Sequence, residues 1–232
     1  MVLATTSLVS GAQAASAVTY DEKRGPNYSS RVILTFDDCP VNLTDFQRVI
    51  KYAKRKNDGH VFAPTGVCIE RFRQKYGVDL AKLARSYGQY VINHSVNHPK
   101  DLRKLSCEGV ARELGRPGVV TNYGRPPYGG IDATVRCGYA RVSMKPWLWT
   151  GSTGDWMGKS KAEIIAAAAR VAKPGATILM HMEDKGFNPD AISKIKAKLE
   201  DRGLRLCRAY RGLDNRGAII GSPVKLPNRL PC

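Results

Sequence analysis

V-I-L-T-F-D-D, residues 32–38, is a short apolar run entered from Arg31 and closed by two adjacent carboxylates. Bounded in this way, it reads as a strand buried on both faces. Immediately downstream, N-L-T-D-F-Q-R-V-I-K-Y-A-K-R-K (42–56) sets Phe46, Val49, Ile50 and Ala53 at i, i+3, i+4 and i+7, one apolar stripe with lysines opposite. Asp58-Gly59 ends that period, and H-V-F-A-P (60–64) is the next strand.

The strand-then-helix unit recurs. A helical stretch is expected from Ile69 to Tyr87, a strand over Gln89–Ile92 and a helix near Leu102–Leu114, followed by a Gly/Pro-rich loop at 115–130. P-W-L-W (146–149) and A-T-I-L-M (176–180) are strand candidates. Between them Ser160 and Glu163 form a capping box ahead of Ile164, Ala168 and Val171. The last helix starts at Asn188-Pro189, buries Ile192, Ile195 and Leu199 and stops at Gly203; L-R-L-C-R-A-Y (204–210) is the final strand. Such alternation predicts an α/β fold with a mostly parallel sheet, open or closed into a barrel, as a single domain over 17–212. An irregular tail at 213–232 follows, where Cys232 is placed to staple it down.

Hydrophobic residues make up 43% and charged residues 25% of the chain, a globular composition, and no apolar run approaches the ~20 residues of a membrane span. Residues 1–16 are uncharged and weakly apolar, with Ala12-Gln13-Ala14 as a cleavage site, and read as a secretory signal peptide that lacks the usual basic start. Six cysteines without a C-x-x-C pair fit disulfides in a secreted protein better than a zinc finger; the pairing stays open, and Cys39, beside two aspartates, is either bridged or a free thiol. A formal charge of +17 favours anionic polymers. The basic residues are scattered rather than interleaved with aromatics, so nucleic acid is not the expected partner.

In a parallel α/β fold the functional site forms at the strands' C-terminal ends. Those ends carry Asp37 and Asp38, His94 and His98, Asp155 and Trp156, and His181. Three of the four histidines therefore fall on one face, while His60, at a strand start, reads as a surface or core residue. Adjacent residues on a strand point to opposite sides, so the two aspartates have different tasks unless the chain is leaving the strand there. One carboxylate with two imidazoles is a three-ligand set that leaves a cation open to water and substrate. The other carboxylate is then available as general base, and His181 as the acid that protonates a leaving group.

In order, T-F-D-D (35–38), H-S-V-N-H (94–98), R-P-P-Y (125–128), D-W (155–156) and L-M-H (179–181) resemble the five motifs of the polysaccharide deacetylases, carbohydrate esterase family 4. The resemblance spans residues 31 to about 211. It implies a distorted (β/α) barrel and metal-dependent removal of acetyl groups from polysaccharide, commonly from N-acetylglucosamine; a monomer is expected. It makes Asp37 the base, and Asp38, His94 and His98 the ligands of a divalent metal; zinc, cobalt and nickel all suit that set. Arg125 would pair with Asp37, and the Tyr128 N–H would stabilise the oxyanion while its residue contacts substrate. His181 would be the acid, tuned by Asp155, with Trp156 and Leu179 around the acetyl methyl group.

Two positions depart from the family pattern. Cys39 stands where glycine usually follows the paired aspartates, and Ser152 stands where another Asp usually opens the motif ending in D-W. Taken alone, Arg125 before two prolines reads as a rigid loop's surface charge, and Trp156 and Leu179 as ordinary core. The expected function is N-deacetylation of chitin-like or peptidoglycan glycan outside the cell. The alternatives are an acetylxylan O-deacetylase and a non-catalytic carbohydrate-binding relative.

Overall fold

A computed structural model describes residues 19–213 and 219–232; the leader expected at 1–16 lies outside the described residues. The central strand is β1 (Ile33–Asp38), flanked in parallel by β2 (Val61–Pro64) and β7 (Thr177–His181). β3 (Tyr90–Val91) continues the sheet beyond β2 and β6 (Gly151–Ser152) beyond β7, giving the order β3-β2-β1-β7-β6, all parallel. A small parallel pair, β4 (Tyr123–Gly124) with β5 (Lys145–Pro146), joins through a bridge from Asn93 to Gly124, and Leu206 bridges Val32. The result is a mostly parallel, barrel-like sheet with helices outside it.

The expected α1 forms at Leu43–Lys56, with the Asn42 side chain accepting from the Asp45 N–H and Phe46, Val49, Ile50 and Ala53 all buried. The stretch anticipated at 69–87 is two helices, α2 (Gly66–Tyr76) and α3 (Leu80–Ser86). Gly77 ends α2 at φ 65, and the Asp79 carboxylate caps α3. The helix near Leu102 shortens to α4 (Cys107–Glu113), preceded by a 3-10 turn at Leu102–Lys104. An unanticipated helix, α5 (Ala133–Arg141), packs on α4 through the Cys107–Cys137 disulfide. α6 (Lys161–Val171) has the expected capping box, and α7 (Pro189–Glu200) starts from Asn188.

The strand expected at 204–210 reduces to the Leu206 bridge, and that at 146–149 to the pairing of Pro146. In the tail, β8 (Gly212–Leu213) and β9 (Ile219–Ile220) form an antiparallel pair where irregular structure was expected. Cys207–Cys232 ties the tail to the sheet, and Cys39–Cys68 joins the β1–α1 loop to α2, so no free cysteine remains. Each bridge closes a loop of 25–30 residues, worth about 3–4 kcal/mol in the chain-entropy account. Among the described residues no helix is long and apolar enough to cross a membrane.

The period of β1 sorts the core. Leu34 and Phe36 pack into the large cluster that also holds Phe46, Phe62, Ile164, Phe187 and Ile195. Ile33 joins an inner cluster with Tyr90, Tyr123 and Trp147. Thr35 and Asp37 share Ile33's face, so the first carboxylate enters the barrel interior at the C-terminal end of its strand. His60 is fully buried, its ring edge-on to Phe36 at 5.7 Å, which decides between the two readings of this residue in favour of core.

Candidate active site

Inside the barrel, Asp37 meets Arg125, which has no exposed surface. Arg125 Nη1 donates to Asp37 Oδ1 at 2.6 Å and to Thr35 Oγ1 at 2.9 Å; Nε donates to the Trp147 carbonyl and Nη2 to that of Leu148. A guanidinium is buried only when paired and hydrogen-bonded, and here two chain segments, β1 and residues 147–148, supply the acceptors. The surface-charge reading of Arg125 is therefore corrected: its partners are remote in sequence.

Asp38 has φ 69, so the chain is already turning out of the strand and the second carboxylate reaches the same site as the first. Its Oδ1 lies 3.4 Å from His94 Nε2 and 3.2 Å from His98 Nε2. The histidines sit on a loop rather than a helical turn, with Ser95 at φ 64 and His98 at φ 53. Buried Asn93 holds that loop. Its amide donates to the carbonyls of Leu114 and Val119 and its oxygen accepts from the Ser95 N–H, while Ser95 Oγ accepts from the His98 N–H.

His94 Nδ1 lies 2.8 Å from the Arg125 carbonyl oxygen. A carbonyl only accepts, so Nδ1 carries the proton and the neutral ring's lone pair sits on Nε2, toward Asp38. One donor atom from each of Asp38, His94 and His98 lies within 4.8 Å of the others. Two imidazole nitrogens and a carboxylate oxygen, one ring locked by an outer hydrogen bond, fit a borderline divalent cation. Electrostatics ties the cluster together. Burial alone would raise the Asp38 pKa, but the hydrogen bond and charge of His94, with His98 and His181, lower it. Burial works to lower His94, and the charges of Asp37 and Asp38 override it upward; His98 is lowered by burial and by His94.

Opposite, the register Asp37↔His181 between β1 and β7 sets His181 beside the base position. His181 Nδ1 donates to Asp155 Oδ1 at 2.9 Å, and the His181 backbone N–H donates to Asp155 Oδ2 at 2.7 Å. Asp155 is fully buried at the start of a 3-10 turn, Asp155–Met157, not at a strand end. Burial alone would depress His181; the Asp155 hydrogen bond and the charges of Asp37, Asp155 and Asp38 override it and raise the ring to about 9. Its Nε2 faces Asp38 Oδ2 at 4.0 Å. A second carboxylate–imidazole group, Asp155, His181 and Asp184, includes the hydrogen-bonded His181–Asp155 pair.

These residues surround one cavity of about 310 Å³ lined by Asp37, Asp38, His94, His98, Tyr128, Trp156, Leu179 and His181. Arg125 and Asp155 stand behind it. Leu179 is buried, whereas Trp156 and Tyr128 are exposed at the rim; Tyr128 takes φ 56, its ring 4.9 Å from that of His98. Trp149 and Glu183 also line the cavity and were not anticipated, nor were Thr35 and Asn93 behind it. Asn93, directly before His94, was the legible one, since a buried Asn bonds the backbone of its own turn.

A parallel barrel-like scaffold that gathers an Asp–His–His cluster and an Asp–His pair on the C-terminal face of its sheet is the layout of a hydrolase. A family model described as Polysaccharide deacetylase matches residues 24–147, and the chain belongs to that family. It is 27% identical over 190 residues to a chitooligosaccharide deacetylase of Rhizobium leguminosarum bv. trifolii, covering 78% of this chain and 82% of the relative. It is 29% identical over 188 residues to a bifunctional xylanase/xylan deacetylase of Cellvibrio japonicus, covering 78% of this chain and 27% of that much longer protein. The fold matches that of a family 4 carbohydrate esterase from Streptomyces lividans, solved with acetate, at a TM-score of 0.63 and 24% identity over 83% of this chain and 97% of that one.

Proposed function

We propose that this chain is a divalent-metal-dependent N-deacetylase of N-acetylglucosamine-containing polysaccharide, chitin-like or peptidoglycan, acting outside the cell. The observation that carries the reading is the double role of Arg125: its guanidinium holds Asp37 while its carbonyl fixes the His94 tautomer. Asp38, His94 and His98 would hold the cation, zinc by preference, whose chemistry when bound is Lewis acidity toward the acetyl carbonyl and the attacking water.

This chain's own residues do the rest. Asp37, its Oδ1 committed to Arg125, takes the water's proton on Oδ2. The Tyr128 N–H donates to the oxyanion as the carbonyl becomes tetrahedral. His181, held through Nδ1 by Asp155, delivers a proton from Nε2 to the leaving nitrogen, which as an amide departs only when protonated. Leu179 and Trp156 exclude water around the acetyl methyl group. Three disulfides using all six cysteines support an oxidising, extracytoplasmic setting.

An acetylxylan O-deacetylase is the second reading, favoured by the likeness to the Cellvibrio protein. Acetate release from chito-oligosaccharides, peptidoglycan and acetylated xylan by zinc-loaded protein separates the two. Release from xylan alone replaces the first reading with the second, and release from none, with Asp37→Asn binding the glycans as wild type does, leaves a carbohydrate-binding protein.

A further inference from the structure

A second cleft, about 420 Å³, adjoins the first and shares Asp38 and Glu183 with it. The two share a wall, so the sugar next to one that fills the first cavity falls on the side of the second. The Cys39–Cys68 disulfide stands at their junction, joining the residue after Asp38 to α2. Positions 68, 71 and 75 lie on one face of α2, so the bridge aims Arg71 and Lys75 at the cleft, which both line together with Tyr76.

Neither cation on that face is in an ion pair among the described residues. Arg73, on the same helix, pairs with Asp79 at 2.5 Å. Arg71, by contrast, donates to Cys39 Sγ at 2.7 Å, and Lys75 lies 5.2 Å from the Tyr76 ring centre; neither meets a carboxylate among the described residues. A planar guanidinium fork beside an ammonium is the donor set for a carboxylate. Tyr76, 36% exposed, offers a face on which a sugar ring stacks. Asp38 and Glu183 stand on the wall shared with the first cavity, where Asp38 belongs to the Asp–His–His cluster.

Building on the deacetylase reading, we propose that this cleft is a glycan subsite for an acidic sugar neighbouring the acetylated one, with Arg71 and Lys75 binding its carboxylate. The carboxylate belongs to a muramic acid in peptidoglycan or a uronic acid in substituted xylan, and the test has an arm for each.

Zinc-loaded Asp37→Asn protein is titrated calorimetrically with peptidoglycan-derived oligosaccharide and with uronic-acid-substituted acetyl-xylo-oligosaccharide. Each is compared with its counterpart whose carboxyl group is reduced to the alcohol, while acetate release by wild type is followed in parallel. The carboxylate form of one of the two glycans binds about tenfold more tightly than its reduced form. Arg71→Gln with Lys75→Gln collapses that ratio to about unity, and Arg71→Lys retains part of it. Misfolding weakens both forms alike and does not imitate the collapse. Equal affinity for both forms of both glycans, or a preference that survives the double substitution, overturns the proposal. Acetate release without carboxylate preference sinks the subsite alone. Carboxylate preference without acetate release sinks the deacetylase reading and leaves the subsite standing.

Discussion

Arg125, without exposed surface, donates to Asp37 Oδ1 at 2.6 Å. Removing either partner strands a buried charge, which typically costs 3–5 kcal/mol. Arg125→Leu is expected to lower stability by about that much, and acetate release by at least about a hundredfold, since Asp37 loses its anchor. Chemical denaturation alongside acetate release checks both. An Arg125→Leu protein of wild-type stability contradicts the ion pair.

His181 and Asp155 are joined twice, through the ring and through the backbone. If His181 is the acid, amide substrates suffer more than activated esters when it is removed, because a phenolate leaves without a proton. His181→Ala is expected to reduce N-deacetylation by about 10²–10⁴. Hydrolysis of an aryl acetate should fall far less, and Asp155→Asn should follow the same pattern more weakly. Equal losses on both substrates exclude the role.

His60 makes a prediction about acid stability that the active site does not touch. Its ring is fully buried with no hydrogen-bond partner on either nitrogen, and burial, with Lys196 behind it, pushes its pKa down to about 3. In the unfolded chain it titrates near 6.5. Between these values the unfolded state binds a proton that the folded state refuses, so stability falls as pH drops from about 6.5 toward 3, by up to about 4 kcal/mol. Urea unfolding of wild type and His60→Phe across that range should show the acid slope reduced by about one proton in the variant. Parallel curves contradict it.

The disulfides separate stability from activity. Cys107→Ser with Cys137→Ser frees α4 from α5 and is expected to cost about 2–4 kcal/mol with kcat unchanged. Cys39→Ser with Cys68→Ser costs a similar amount but also loosens α2 beside the active-site cleft, so KM for polymeric substrate should rise. Thermal melting and steady-state kinetics of the two double variants distinguish these outcomes.

What was readable in the sequence was whatever carried a period or a cap. β1, β2 and β7 are apolar runs, α1 and α7 have clear stripes, and the strand-end rule brought Asp37, Asp38, His94, His98 and His181 to one face. α5 escaped because A-T-V-R-C-G-Y-A-R has a weak stripe; it is held by the Cys107–Cys137 bond and by Gly138, where an added Cβ would lie 2.4 Å from Val110 Cγ1. β3, expected over Gln89–Ile92, forms at Tyr90–Val91, and β5 overlaps the strand expected at 146–149 only at Pro146; β4 and β6, two residues each, are too short for any alternation to register. Arg125 shows the deeper reason: its burial depends on acceptors at Thr35, Asp37, Trp147 and Leu148, contacts that only the closed fold creates.

The central claim is that Asp38, His94 and His98 form one divalent-cation site. Calorimetric titration of chelator-stripped protein with zinc, compared across variants, tests it most directly. The account predicts one tightly bound zinc per chain, lost or weakened by at least about a hundredfold in His98→Ala and in Asp38→Ala, and retained in Asp37→Asn, which binds zinc but releases no acetate. Zinc binding equal to wild type in both His98→Ala and Asp38→Ala, or none in the wild-type protein, contradicts it.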